Sequence, residues 1–283
     1  MDTVRKNRKF SGAGAAMLLL FTVITAVTLL PFICIFLASF RPGNEIMSYG
    51  LGLNLDFSRM NLDNYHMLFF GENQNYFLYF FNSLKYTFLQ TVLTLFFSSF
   101  VAYGFAMYDF RGKTLLFGLV LLMMTTAVEI LMLPLFLEMQ KIGLYGSMWA
   151  VILPQLTAPL PVFFFRQYLI GLPKDYLDAA RVDGCTEYGI FFRIILPLMQ
   201  PSFAAMGIFV GMNSWNSFVL PVLLLSQENR TLSVFLETLL SPYKNYYDIL
   251  IVGAVFSVIP IVILFALFQR HFIAGMTAGG IKG

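Results

Sequence analysis

Charge is the first thing this chain lacks. Only 12% of its 283 residues are Asp, Glu, Lys or Arg, about half the share of an ordinary water-soluble domain. A soluble globular enzyme is nearly excluded on that ground. Histidine and cysteine are scarce too, with two of each. Cys34 lies in an apolar run and Cys185 far away in a polar segment, and His66 and His271 complete no Cys/His ligand cluster, so neither a disulfide framework nor a zinc site is expected. Both cysteines read as packing residues. The 21 glycines and 12 prolines follow no period, which excludes a fibrous repeat. A net charge of +3, concentrated at the first few residues, does not suggest nucleic acid. There is no G-x-x-x-x-G-K-[ST] sequence and no room for a separate nucleotide-binding domain.

What the chain has is apolar surface: 58% hydrophobic residues, among them 32 Phe and 15 Met. A bilayer span takes ~20 apolar residues, so six spans would use about 120 and leave room for loops. The N-terminus carries Arg5, Lys6, Arg8 and Lys9 before an apolar run over about 13–38. That run is longer than the core of a signal peptide and ends in Ser39-Phe40-Arg41-Pro42, so it reads as an uncleaved first transmembrane helix. Five more spans are expected over about 82–107, 114–139, 147–169, 198–225 and 248–268. They are too long and too continuous for barrel strands of ~10 alternating residues. The expected fold is an all-α membrane protein with six transmembrane helices.

Lys and Arg placement orients it. With the N-terminus (1–12) inside, the inner segments hold twelve of the 18 basic residues, and both termini are cytoplasmic. Glu45, Asp56, Asp63 and Glu72 then fall in the first external loop, 41–81, which is long enough to form a small cap.

The inner loop between the fourth and fifth spans, 172–197, carries the functional argument. Pro173 suits the first turn of a helix. A short helix over 174–183 follows, with Tyr176, Leu177 and Ala180 on one side and Asp175 in the first turn, where the dipole favours an acid. Gly184 can take the left-handed conformation that ends a helix. A second amphipathic stretch over 186–196 runs to Pro197 and into the fifth span. The small residues Ala179, Ala180 and Gly184 allow close approach, so the loop is expected to be a compact helix-turn-helix knuckle suited to a groove in a partner protein.

Asp178-Ala179-Ala180, Asp183-Gly184, Phe192, Ile195, Leu196-Pro197 and Pro201 resemble the EAA loop of ATP-binding-cassette (ABC) importer permeases: Glu-Ala-Ala, three residues, Gly, then about nine residues to Ile-x-Leu-Pro. Asp178 stands where Glu is usual, and Cys185 where Ala is common. Trp215-Asn216-Ser217-Phe218 and the tail from Phe268 to Gly279-Gly280-Ile281-Lys282-Gly283 are similar to the carbohydrate-uptake branch, in particular to the second, smaller permease of maltose-type systems. The resemblance implies a type I ABC importer permease fold in a bacterial or archaeal cytoplasmic membrane. It implies a second, related permease, two cytoplasmic ATP-binding subunits each receiving one knuckle, and an external solute-binding protein. It implies no catalytic residue, metal or cofactor in this chain, with ATP and Mg²⁺ bound by the partner subunits. The coupling residues on this reading are Tyr176, Leu177, Asp178, Ala179, Ala180, Asp183, Gly184, Glu187, Phe192 and Pro197.

Other positions admit two readings each. Glu129, near the middle of the third expected span, either lines a translocation path or pairs helices. Asn213, Ser214, Trp215, Asn216 and Ser217 form the most polar patch in any span. Asn213, Trp215 and Asn216 offer a sugar hydrogen-bonding groups and a flat ring, or they bind helix to helix. The outer segment 227–247, with Asn229, Arg230, Tyr243 and Tyr246, either touches the binding protein or is an interfacial aromatic belt. The Gly-rich tail 271–283 reads as flexible, inserting between the ATPase subunits or simply frayed.

The expected function is import of a carbohydrate, an oligosaccharide, by alternating access, with a polyol or glycerol phosphate as the alternative cargo. A secondary transporter would need several ionisable residues within spans and an inverted repeat, and only Glu129 is clearly within a span. An intramembrane enzyme would need a His/Asp/Glu cluster at membrane depth, which the sequence does not offer.

Overall fold

A computed structural model describes residues 12–43, 46, 60–71, 75–173, 175–240 and 246–280. The described residues are almost entirely helical. Four helices are long and apolar enough to cross a membrane, and the number rises to six if each of two bent pairs is one span. The chain divides into two units.

The first unit holds residues 1–74 and 239–256. Helix α1 (Gly12–Ala38) is exposed along most of its length, as a lipid-facing helix can be. Its threonines waste no polar group: Thr22, Thr25 and Thr28 each donate to the carbonyl four residues back at 2.8 Å. Beyond its end the chain is tied to the short helix α2 (Asp63–Phe70). The buried Asn64 amide donates to the carbonyls of Ser39 and Arg41 at 2.9 and 2.6 Å, and the Ser39 and Tyr65 hydroxyls lie 2.7 Å apart. The described residues of the 41–81 segment thus include a helix hydrogen-bonded to the end of α1.

The second unit, residues 75–238 and 257–283, is organised around α3 (Tyr76–Met107), 32 residues long and so about 48 Å. One face of α3 carries a buried polar ladder of Ser83, Gln90, Thr94 and Ser98, and its purpose is local. The fourth span is α6 (Trp149–Ile152), a 3-10 turn (Leu153–Gln155) and α7 (Pro159–Ile170). Pro159 has no N–H to give the Gln155 carbonyl one turn back, and the Thr94 hydroxyl donates to it instead at 3.0 Å. Ser98 does the same for Leu156 at 3.3 Å. Neighbouring hydroxyls commonly satisfy a broken span in this way.

Two expected spans need correcting. The third is α4 (Lys113–Met124) and α5 (Val128–Lys141), bent by 104°. Thr125 and Thr126 turn their hydroxyls to the Leu122 carbonyl at this break. The fifth is not one helix over 198–225. Helix α11 (Gln200–Trp215) stops at Trp215, and α12 (Val219–Leu224) follows after a break at 216–218. A 3-10 turn (Gln227–Asn229) and α13 (Leu232–Thr238) follow. The last helix, α14 (Tyr247–Gly280), continues through most of the tail, which is helical as far as Gly280.

Candidate functional site

The knuckle folds as its sequence punctuation requires. Helix α8 (Asp175–Val182) ends at Gly184, whose φ of +76° is the left-handed conformation that glycine adopts without strain. The Gly184 N–H donates to Arg181 and the Cys185 N–H to Ala180, both at 3.0 Å, which is the paired hydrogen-bond pattern of a Schellman cap. Thr186 then caps the next helix, its hydroxyl accepting from the Gly189 N–H at 3.2 Å. Helix α9 (Glu187–Ile190) passes through a π turn (Phe191–Ile195) into α10 (Leu196–Leu198). At Met199 the chain bends by 76° into α11.

Its inner face is rooted in the bundle. Leu177, Ala180, Ile190, Phe191 and Ile195 are buried in one cluster with Ala102 and Tyr103 of α3, Phe165 and Leu169 of α7 and Met206 of α11. Tyr176 does not share that face. It is 52% exposed while Leu177 is 3% exposed, a correction to the expected grouping of Tyr176, Leu177 and Ala180. The adjacent-residue step of about 100° is enough to carry Tyr176 off the buried stripe. Asp178, Ala179, Asp183, Gly184, Glu187, Phe192 and Pro197 are all exposed, as is Val182 at 87%.

One carboxylate holds the two arms together. Glu187 accepts from Arg181 Nε at 2.8 Å and from the hydroxyls of Tyr108 and Tyr103 of the α3 end. Arg181 Nη1 also donates to Asp178 at 3.3 Å. The Arg181 guanidinium, and after it the Tyr108 hydroxyl, holds the Glu187 carboxyl below the usual carboxylate range. Arg181 and Tyr108 were not singled out from the sequence, although the Asp178–Arg181 spacing of three is a legible helical pair.

The expected pathway residues are not gathered into one polar site. Glu129 lies in the first turn of α5, exposed, just past the 104° break. It is therefore not in the middle of a straight span. Asn213 and Asn216 are exposed and turn their amides to the carbonyls of Phe209 and Met212, one turn back; their side-chain oxygens make no hydrogen bond among the contacts described. Trp215 is 6% exposed and its indole N–H donates to the Ser257 carbonyl at 3.0 Å, so it braces helices. A groove of about 840 Å³ runs between α3, α11 and α14, from Leu196 and Pro197 to Leu84 and Trp215. Its lining is apolar except for Thr87, Thr91 and Gln200.

The described residues of the segment 227–247 are anchored at several points. The Asn229 amide donates to the carbonyl of Gly146 at 2.8 Å, and Asn82 donates to the carbonyls of Glu228 and Arg230 at 2.8 and 3.1 Å. The backbones of Gly146 and Leu225 pair as an isolated bridge. Arg230 is half-buried. Tyr246 is half-buried in the first unit and its N–H donates to the Leu239 carbonyl at 3.1 Å. Tyr243 lies outside the described residues.

Residues 94–278 match the model of a family described as binding-protein-dependent transport system inner membrane component. The chain is 49% identical over 281 residues to the arabinooligosaccharides transport system permease protein AraQ of Bacillus subtilis, covering 99% of this chain and 100% of that one. It is 52% identical over 264 residues to the protein of the same name from Halalkalibacterium halodurans, covering 93% and 94%. The lactose transport system permease protein LacG of Rhizobium radiobacter is 34% identical over 72% of this chain and 75% of its own length. Among solved structures, a chain of a bacterial ABC transporter involved in the import of the acidic polysaccharide alginate superposes with a TM-score of 0.75 at 21% identity, covering 96% of this chain and 99% of that one. A bacterial alginate ABC transporter in complex with an alginate pentasaccharide-bound periplasmic protein gives a TM-score of 0.65 at 16% identity, over 90% and 92%.

Proposed function

The chain belongs to the family of binding-protein-dependent transport system inner membrane components, and from that premise we propose that it is the permease subunit of an ATP-driven importer whose cargo is an arabino-oligosaccharide. It is a multi-pass inner-membrane protein and a carbohydrate-importer permease. The finer cargo rests on two relatives about half identical to it over nearly their whole length, both bearing the arabinooligosaccharide name.

The observation that carries the mechanism is the knuckle. It is compact, rooted by five buried side chains and bare on its outer face, where Tyr176, Ala179, Val182 and Asp183 are exposed. In the proposed machine both termini and the knuckle face the cytoplasm, and two ATP-binding subunits sit beneath this permease and a second, related one. Each motor takes one knuckle through the residues from Tyr176 to Pro197. ATP and Mg²⁺ stay in the motors, and this chain performs no covalent chemistry. Nucleotide must bind one permease state more tightly than the other, or it shifts nothing; the knuckle transmits that difference to the spans. A solute-binding protein delivers the sugar against the outer segment 227–247. Asn213 and Asn216, both exposed, and Glu129 at its break are the groups assigned to the path.

The test uses the assembled importer. With Cys185→Ser removing the exposed native thiol, Val182→Cys labelled with a maleimide–benzophenone reagent should photo-cross-link to an ATP-binding subunit, the maleimide adding the thiol and the excited ketone inserting into a C–H bond of the neighbouring subunit. The same particles should take up labelled arabinotriose when ATP and the binding protein are supplied. An intact complex in which Val182→Cys reaches no motor subunit would overturn the coupling assignment, and uptake of other sugars but no arabino-oligosaccharide would overturn the cargo.

A further inference from the structure

Trp215 is the point where four elements meet. Helix α11 ends there, leaving its last carbonyls without helical partners. The Trp215 carbonyl accepts from the Ser233 hydroxyl of α13 at 3.1 Å. Its indole N–H donates to the Ser257 carbonyl of α14 at 3.0 Å, and its ring meets Phe80 of α3 edge-on, centroids 5.8 Å apart. Helix α13 is held from its other side, since the Leu232 N–H donates to Ser83 of α3 at 2.7 Å and Phe235 stacks on Tyr79 at 4.7 Å. The break at 216–218 follows at once. A displacement of α13 therefore bears on α3 through the Leu232 and Phe235 contacts and on the C-terminal end of α11 through the Ser233 hydroxyl, and the Trp215 indole ties that end of α11 to α14.

We infer that Trp215 and Ser233 are positioning residues that pass the docking of the binding protein on the outer face to the break in the fifth span. The inference rests on the importer reading above. Neither residue touches sugar. Their work is to make the C-terminal end of α11 and the turn of α14 at Ser257 move with α13, so that the cytoplasmic motors sense a loaded binding protein.

The experiment compares Trp215→Phe, which keeps a smaller aromatic ring and removes the N–H, with Ser233→Ala, which removes one hydroxyl. Both are reconstituted as the complete importer in lipid nanodiscs, and ATPase activity is read with and without binding protein loaded with arabinotriose. Each variant removes one hydrogen bond, worth about three- to tenfold in a coupled equilibrium. The expected result is basal ATPase at the wild-type level with the stimulated rate reduced about three- to tenfold. The binding-protein concentration for half-maximal stimulation should shift with it, a split that mere loss of folded protein does not produce. A stimulation ratio equal to wild type in both variants overturns the inference. So does failure of both to assemble, since the contacts would then serve only to hold the fold. A wild-type complex that is not stimulated at all overturns the importer reading itself and is told apart by that control.

Discussion

Replacing Gly184 separates a backbone requirement from a contact requirement. At φ +76° it occupies a region that costs a residue with a Cβ roughly 1–2 kcal/mol, with Asn and Asp the partial exceptions. A Cβ added there meets nothing within 4 Å, so no collision inside the chain adds to that cost. The reporters are the two bonds that close the cap, from the Gly184 and Cys185 amides to Arg181 and Ala180. A factor of ten corresponds to about 1.4 kcal/mol, so Gly184→Ala should speed exchange of the capping amides about five- to thirtyfold, and Gly184→Asn by distinctly less. Hydrogen exchange read by mass spectrometry on peptides from this loop measures both. In the assembled importer, sugar uptake should fall in the same order. Gly184→Asp adds a second test: its backbone cost resembles that of Asn, but it brings a negative charge onto the docking face. Its exchange should match Asn while its uptake is lost. Equal exchange and equal uptake in the Ala and Asn variants would refute the backbone argument, and full uptake by the Asp variant would refute the docking one.

Two further predictions concern the braces. Thr94→Val leaves the Gln155 carbonyl, which Pro159 cannot serve, without its donor. It should lower the melting temperature by the equivalent of about 1–3 kcal/mol, Thr94→Ser should restore it, and an unchanged melting temperature would contradict the assigned role. Glu187 is a carboxylate depressed in the folded state by Arg181, so its contribution is complete above the unfolded-state value and is lost as pH falls through the lower folded-state value. The exposed ion pair limits the effect to within about 1 kcal/mol. The stability difference between wild type and Glu187→Gln should therefore be present at neutral pH and vanish in acid, and a difference that grows in acid would disprove the network.

The knuckle was legible because residues with few backbone options punctuate it. Pro173 and Gly184 constrain the chain whatever packs around them, and the first arm falls between those marks; the second arm starts after Gly184 but runs through Pro197 to Leu198, and the chain bends only at Met199. The presence of apolar spans was legible from hydropathy for a similar reason: lipid imposes it residue by residue. The bends were not. The 104° break falls at Thr125-Thr126-Ala127, which contains neither proline nor glycine, and hydropathy averaged over a window carries no direction. The exposure of Tyr176 was hidden because composition alone does not say which side of a short helix the neighbouring spans cover. Trp215 stood out as a polar-patch aromatic, but its partner lies 42 residues later in the chain. The ladder at 90, 94 and 98 does show in the sequence as polar residues four apart, and its meaning appears once Pro159 is placed beside it.

Transmitting motion from a motor requires that the part receiving force not slide on the part that must move. The knuckle meets that requirement through its burial. To slide against the bundle it would have to withdraw Leu177, Ile190, Phe191 and Ile195 from contacts with α3, α7 and α11. Full exposure of each such side chain costs about 1.5–3 kcal/mol, on top of the Glu187 ties to Tyr103 and Tyr108. Moving together with the inner ends of those helices costs none of these contacts. A pull on the exposed face at Val182 is therefore shared at once by three spans. It follows that in the proposed cycle the change of shape falls where the chain is already interrupted, at the breaks over 125–127 and 216–218, while the segment between motor and membrane moves as one body.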